Sequence, residues 1–514
     1  MTGAASAVPD RPTTPTTTLS RVALAVLGIV LTLGIVRLAG QAWIAFGFPY
    51  GVDYGEGVVW QQMRDIVAGQ AYRPIGVYPA IAYEYPPVFH LCAAAVARLA
   101  GIDELYAGRL VSLASAVACA LLVAALTARS IASEDRRVVW AASAIAGLVF
   151  LSLPVVGTWA LMMRVDLLAY ALALGGMVLA SHAPRSLAAT LGAGLLFTLA
   201  LYTRQTCLPA PIAAFVVLLL ARPSRAWMMA ATSLASGLAA LALLQGATQG
   251  GFLLNIVFYN INRIIWDHAQ ALALVLLANL VIIAIGMIGL RAALERVAPR
   301  GWAKLRSDRL AAPGQVALAI IILTLAVKTL MLPAILKSGA SDNYLIDWFA
   351  EIAMLAGIAV VPVVRAAIGA PAKPSLLLLI LLGIGLPIQG VDLARSPDVA
   401  AARAQARALD TIVERIRASR LPVISDDATL LLRAGKPMQF EPAIVAELGS
   451  AKLYDEPALI TLIRARHFGF FVTDGDAGDT LFDQRFNPAV AAAIHQAYPR
   501  QERIAGRILH LPPR

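Results

Sequence analysis

Little in this sequence invites a redox, metal or soluble-enzyme reading. Its three cysteines, Cys92, Cys119 and Cys207, lie in separate apolar segments, and none forms a CxxC pair. That pattern excludes a disulfide framework and a cysteine zinc site. Six histidines are scattered without ligand spacing. Dinucleotide, Walker, HExxH and nucleophile-elbow patterns are missing, as is the internal repeat many transporters carry. Charge is also scarce. Only 14% of residues are charged, against roughly 25% in an average soluble domain.

Apolar sequence is what the chain has in quantity. Hydrophobic residues make up 59% of it, and the mean hydropathy is +0.74. Repeated runs of ~20 apolar residues define an integral membrane protein. Residues 1–19, rich in Thr, Pro and Ala, read as a disordered tail. Membrane spans are expected near 21–46, 106–128, 137–154, 161–181, 186–202, 207–221, 226–246, 270–290, 313–335, 345–364 and 373–391. The first is too long for a signal-peptide core of ~7–15 residues and reads as a retained anchor. Pro86 to Leu99 is apolar but covers only 14 residues. At ~1.5 Å per residue it falls short of a ~30 Å core, so it reads as a juxtamembrane or re-entrant helix.

The net charge of +11 is concentrated in loops. With the N-terminus inside, the positive-inside rule gathers Arg129, Arg136, Arg137, Arg185, Arg222, Arg225, Arg291, Arg296, Arg300, Lys304, Arg306, Arg309, Arg365 and Lys373 on the cytoplasmic side. These cations face anionic lipid rather than nucleic acid. The assignment makes residues 47–105 the first external loop and puts the C-terminus outside. It also collects Asp53, Glu56, Glu84, Arg164, Asp166, Arg204, Asp267, His268, Asp342 and Asp347 at the external face. Gly250 to His268 reads as an interfacial helix on the bilayer. Residues 396–514 read as a soluble α/β domain. Its expected elements are an amphipathic helix over Ala400–Arg420, strands over Pro422–Asp427, Phe468–Asp474 and Ile504–Leu511, and helices over Pro457–His467 and Pro488–Tyr498.

Carboxylates beside lipid need a reason to be there. Asp53 and Glu56 share a face if they sit on one helical turn. One could deprotonate an acceptor hydroxyl while the other orients it or holds a divalent cation. The alternative is a pair of solvated loop acids. Tyr83-Glu84-Tyr85-Pro86-Pro87 opens a helix with prolines in its first turn; Glu84 and Tyr85 are acceptor-site candidates. Arg164 and Asp166 open an apolar helix, where i, i+2 residues do not face one another. An ordinary helix start explains them equally well. Arg204 and the intramembrane Lys328 could bind phosphate oxygens, or Lys328 could pair with Asp166 or Asp347. Ser341-Asp342-Asn343-Tyr344 begins a span, and Asp347 and Glu351 follow on one face. Capping is the competing role for Asp342. Ser425-Asp426-Asp427 and Thr473-Asp474-Gly475-Asp476 fit plain turns better than a Ca²⁺ or sugar contact.

Taken in order, Asp53 to Glu56, Tyr85-Pro86-Pro87, Arg164-Val165-Asp166, Thr203-Arg204-Gln205-Thr206 and Ser341-Asp342-Asn343-Tyr344 resemble the bacterial GT-C membrane glycosyltransferases. The resemblance is to the family-39-like group with the RgtA/B/C/D-type domain, related to protein O-mannosyltransferases and aminoarabinose transferases. It covers residues 20–395. It implies a GT-C transmembrane domain of about 11 helices with a small extracytoplasmic α/β domain, in the bacterial inner membrane. It implies transfer of a sugar from a polyprenyl-phosphate donor to a glycan, lipid or protein acceptor, with inversion. Asp53 would be the general base, with Glu56 and Asp166 beside it. Arg204, Lys328 and Arg164 would hold the donor phosphate, and Glu84, Tyr85, Asn343, Tyr344 and Asp347 would line the acceptor cavity. The resemblance fixes no cofactor: Asp53 and Glu56 could hold a divalent cation, but two acids alone are not a site. The rival readings are a lipid or sugar transporter without transferase chemistry and a non-catalytic envelope assembly protein.

Overall fold

The computed structural model describes residues 15–298, 312–390 and 398–514. The expected tail therefore lies mostly outside the described residues, as do Arg300, Lys304, Arg306 and Arg309. The first helix, α1 (Pro15–Gly47), starts inside the expected tail. Apolar sequence of low polarity, punctuated by caps, produces the helices that follow. These are α2 (Tyr54–Val67), α3 (Val88–Ala100), α4 (Glu104–Ser130), α5 (Arg136–Ser152), α6 (Pro154–Ala160), α7 (Asp166–His182), α8 (Leu187–Leu201), α9 (Pro209–Ala221) and α10 (Pro223–Ala247). Asp103, Asp135 and Ser186 cap α4, α5 and α8 by accepting N–H bonds.

Among the described residues, five helices are long and apolar enough to cross a membrane, or seven if each bent pair is one span. The bent pairs have clear causes. α5 and α6 meet at 66°, where Pro154 ends the ladder. Asp267–Ala278 and Leu280–Val297 meet at 72°, where the Asn279 side chain turns back to the Val275 carbonyl. Several expected spans are shorter apolar helices: α7, α8, α9 and Leu376–Gln389. The segment withheld from the spans, α3, is 13 residues long. The most enclosed stretch is Asp342–Ala367, 89% buried in its apolar window. It packs against α4, α5 and Leu280–Val297, and carries Asn343, Asp347 and Glu351 into the bundle.

The Gly250–His268 segment departs from expectation. It is helical over Gly251–Phe258, then irregular up to the helix that starts at Asp267, with Ile264 bridging Lys337. Phe252 is buried between Tyr72 and Tyr202, and Tyr259 accepts a hydrogen bond from the Ile75 N–H at 3.1 Å. Phe252 and Tyr259 thus pack on the first loop, while Phe258 and Trp266 stay exposed.

Residues 398–514 form an α/β layer. Its strands are β1 (Ile424–Ser425), β2 (Phe471–Thr473), β3 (Arg500–Ile504) and β4 (Arg507–Leu511), ordered β1-β2-β4-β3. β1 and β2 are parallel; β2, β4 and β3 pair antiparallel. Strand β3 was not expected. Its exposed, charged sequence hides the pattern, and the Ala505-Gly506 turn, with φ of 53° and 80°, closes the hairpin. The helix Val399–Ala418 buries Leu409, Ile412 and Ile416 on one face.

This layer is clamped to the first loop. Ala80 pairs with Phe440, Arg433 forks onto Asp103 at 2.6 and 3.1 Å, and Gln61 accepts from the Met438 N–H at 3.0 Å. α2 lies against the helix Ala428–Arg433, and Gly57 allows that approach. A Cβ at Gly57 would stand 2.6 Å from the Thr429 backbone nitrogen. Gly57→Leu should therefore destabilise the protein by about 1–3 kcal/mol through overpacking. A thermal melt in detergent tests this, and an unchanged midpoint would mean the two elements are not in contact.

Candidate functional site

The site begins at Arg109, an arginine buried in the apolar run of α4. A buried guanidinium must find acceptors. Arg109 Nε and Nη2 fork onto the Glu56 carboxylate, each at 2.9 Å. Its remaining protons go to the carbonyls of Ala45, Phe48 and Tyr50. Glu56 also accepts the Val52 N–H at 2.8 Å and the Met163 N–H at 2.7 Å. Glu56 is thus fully buried with both oxygens engaged. This corrects its expected catalytic role: it cannot reach a substrate, and it shares no face with Asp53. The two do not form a cation site.

Val52 and Met163 are the chain neighbours of Asp53 and Arg164. Fixing the first pair positions the second. Asp53 caps α2 through the Gly55 N–H at 2.9 Å and stands 3.5 Å from Arg164 Nη1. Its side chain is 33% exposed. Arg164 lies across Gly55, where a Cβ would fall 1.4 Å from Nη1, so any side chain at 55 would displace the guanidinium. The Arg164 guanidinium also faces the rings of Trp159 and Tyr85, at 5.2 and 5.9 Å.

Arg164 precedes α7 rather than lying on it, so it can approach Asp166 after all. Arg164 Nε is 4.0 Å from Asp166 Oδ2, and neither atom has a hydrogen-bond partner among the described residues. Asp166 Oδ1 accepts from Arg204 and from Asn343 Nδ2, the latter at 2.8 Å. Arg204 further donates to the Tyr170 hydroxyl and sits 4.5 Å from the Tyr344 ring. Lys328 pairs with Asp347 at 2.8 Å, which is the structural alternative for this lysine. Charges therefore alternate from Asp53 through Arg164 and Asp166 to Arg204, with Lys328 and Asp347 behind. Asp342 does not cap by its side chain; it accepts from Trp159 Nε1 at 2.8 Å.

Asp53 and Arg164 line a cleft of about 760 Å³ between the membrane helices and the α/β layer. Trp159, His268, Asp426, Asp474 and Arg485 also line it. Of the expected site residues, Asp53 and Arg164 alone line this cleft. Arg485 bridges Asp426 and Asp474, both at 2.9 Å, and lies 4.3 Å from the Tyr54 ring. The acidic turns of the α/β layer were thus read too blandly. The signal available was their repeated position after a buried strand. A second cavity, about 340 Å³ and mostly apolar, runs along α1 and reaches Asp342. Asp342 lines this cavity and Trp159 lines the cleft, so the hydrogen bond between them stands where the two adjoin.

Glu84 and Tyr85 stand at the back of this assembly. The Tyr85 hydroxyl accepts from Arg164 at 3.4 Å. The Glu84 carboxyl neighbours buried Glu441 of the α/β layer. Arg109 and Glu441 escaped the sequence reading, because nothing local marks either one.

No family model and no curated protein matches this sequence. Solved structures do. ArnT from Cupriavidus metallidurans bound to undecaprenyl phosphate aligns with a TM-score of 0.56 at 14% identity, over 95% of this chain and 97% of that one. Its apo state gives 0.50 at 16% identity, over 92% and 97%. The Archaeoglobus fulgidus oligosaccharyltransferase in complex with Zn and sulfate gives 0.51 at 11% identity, over 87% of this chain and 68% of that one. The chain has the GT-C fold that the sequence resemblance implied.

Two outcomes follow from these geometries. Glu56→Gln leaves Arg109 buried without its counter-charge, a loss of about 3–5 kcal/mol. Asp53→Asn should keep the melt near wild type, since Asn caps a helix as well as Asp. Equal melts for both variants would discount the Glu56 fork. The second outcome concerns pH. Burial pushes Glu84 and Glu441 above the ordinary carboxylate range, and Glu84 raises Glu441 further. Folded values above unfolded ones contribute stability that is complete at acid pH and lost as pH rises through the raised values. Glu441→Gln should therefore gain stability relative to wild type toward alkaline pH. Parallel melting curves across pH would discard the raised value of Glu441.

Proposed function

We propose that this chain is a membrane glycosyltransferase of the bacterial inner membrane, with its cleft and α/β layer on the periplasmic side. It moves a sugar from a polyprenyl-phosphate donor to a hydroxyl of a cell-envelope glycan, lipid or protein. The observation that carries this reading is the meeting of the two cavities at Trp159 and Asp342. An apolar groove suits an isoprenoid chain, and a polar cleft lined by acids and arginines, Asp53 and Arg164 on the bundle side, suits the sugar phosphate. The fold likeness to ArnT bound to undecaprenyl phosphate supports the same donor class.

The chemistry assigns each residue a task. The Asp53 carboxylate takes the proton of the acceptor hydroxyl. The acceptor oxygen attacks the anomeric carbon on the face opposite the phosphate, forming the new glycosidic bond with inversion. The bond from that carbon to the phosphate oxygen breaks, and its electron pair leaves on the lipid phosphate. Arg164 is the cation on the bundle side of the cleft and stabilises that leaving charge. Its guanidinium lines the cleft beside Asp53. Arg204 and Lys328 act from behind: each holds an acid, so the positive potential at Arg164 is not cancelled by Asp166 alone. Tyr344 and Asn343 position Arg204 and Asp166.

The test uses protein purified in detergent, a panel of radiolabelled polyprenyl-phosphate sugars and a membrane extract as acceptor source. Wild type should transfer label to acceptor. Asp53→Asn should lower transfer by ~100- to 10,000-fold while donor binding persists. Arg164→Met should weaken donor binding more than it lowers the melting temperature. Saturable donor binding by wild type without transfer would replace this reading with a lipid or sugar transporter.

A further inference from the structure

Away from the cleft, three side chains of the α/β layer converge: Asp476 from the loop after β2, His495 from the helix Pro488–Ala497, and His510 from β4. Each offers one ligand atom, and these atoms all lie within 4.8 Å of one another. The surroundings are built. Thr473 gives its hydroxyl proton to the Gly475 carbonyl at 2.8 Å, so its oxygen must accept the His510 Nε2–H at 2.9 Å. That fixes the tautomer and leaves Nδ1 with a bare lone pair. His510 is completely buried, and Nδ1 has no hydrogen-bond partner among the described residues. Gln501 Nε2 holds Asp476 Oδ2 at 2.6 Å, leaving Oδ1 beside His495 Nε2, also at 2.6 Å. Each feature is an outer-shell contact of the kind that orients metal ligands.

We propose that Asp476 Oδ1, His495 Nε2 and His510 Nδ1 bind a zinc ion. Two imidazole nitrogens and one carboxylate oxygen suit Zn²⁺, and three protein ligands leave one position for water or another ligand. Ligand distances of ~2.0–2.2 Å need shifts of about an ångström from the present spacing, within reach of side-chain rotation. The ion would tie a loop, a helix and a strand together. The same loop carries Asp474 and Gly475 to the cleft, so the metal braces the cleft's roof. This site is independent of the transferase reading.

The experiment uses the full-length protein with a tag that contains no histidine, stripped by chelator and then titrated with Zn²⁺, with Co²⁺ as a spectroscopic probe. Wild type should take up one equivalent, and Co²⁺ should give visible d–d bands of nitrogen and oxygen ligation. Asp476→Asn and His495→Gln should each weaken binding at least tenfold. Gln501→Ala, which alters no ligand, should weaken it by ~10- to 100-fold and guards against misfolding of the other variants. Absence of stoichiometric uptake by wild type would overturn the proposal. So would undiminished uptake in all three variants.

Discussion

The fork between Arg109 and Glu56 is the constraint on which the rest depends. One buried guanidinium gathers the end of α1, the following loop and α2, while the carboxylate reaches the turn before α7. A buried ion pair of this kind is weak support for stability in itself, because desolvation consumes much of the Coulomb gain. Its value lies in geometry. With all its lone pairs directed, Glu56 permits one arrangement of Val52 and Met163, and hence one distance between Asp53 and Arg164. The cleft's acid and cation owe their positions to a pair that never meets solvent.

The same logic extends inward. Asp53, Arg164, Asp166 and Arg204 form an alternating series, in which each charge has an opposite neighbour. Only at the cleft end does the series stop short of saturation: Arg164 Nε and Asp166 Oδ2 lack hydrogen-bond partners among the described residues. Unmet hydrogen-bonding capacity in a buried, charged region is costly. A phosphate or sugar hydroxyl that satisfied it would bind with that cost already carried by the protein.

How much of this could be read from sequence follows from the range of each interaction. Apolar runs and caps are local, so the helices of the bundle were legible, including the short α3. Asp53, Arg164, Asp166 and Arg204 were legible as charges without a lipid-facing excuse. Their roles were not, because partners 38 or more residues away decide them. Glu56 was misread for that reason: its partner Arg109 looks like one more residue of an apolar helix. The aromatic segment after Gly250 has the composition of a bilayer-surface helix, but Tyr72 and Tyr202 enclose Phe252, which draws its first part onto the first loop. Strand β3 failed on pattern, being a charged edge strand in which alternation carries no apolar signal. The cluster of Asp476, His495 and His510 was invisible because its members are spread across three elements.

The meeting of the two cavities has a physical consequence for substrate choice. A polyprenyl chain gains roughly 25 cal/mol for each Å² of apolar surface removed from water, but in a bilayer it is already shielded. The apolar groove along α1 therefore adds little affinity over lipid. What it can do is fix where the phosphate emerges, at the Trp159–Asp342 contact beside Arg164. Affinity must then come from the head group, through the guanidinium and the cleft's polar lining. On the proposed function, discrimination among sugars would rest on the side opposite the bundle, where Asp426, Asp474 and Arg485 face the cleft from the α/β layer. That layer also packs on the loop held by the Arg109–Glu56 frame, through Thr429 on Gly51 and Arg433 on Pro49, so its polar surface is registered to Asp53 and Arg164.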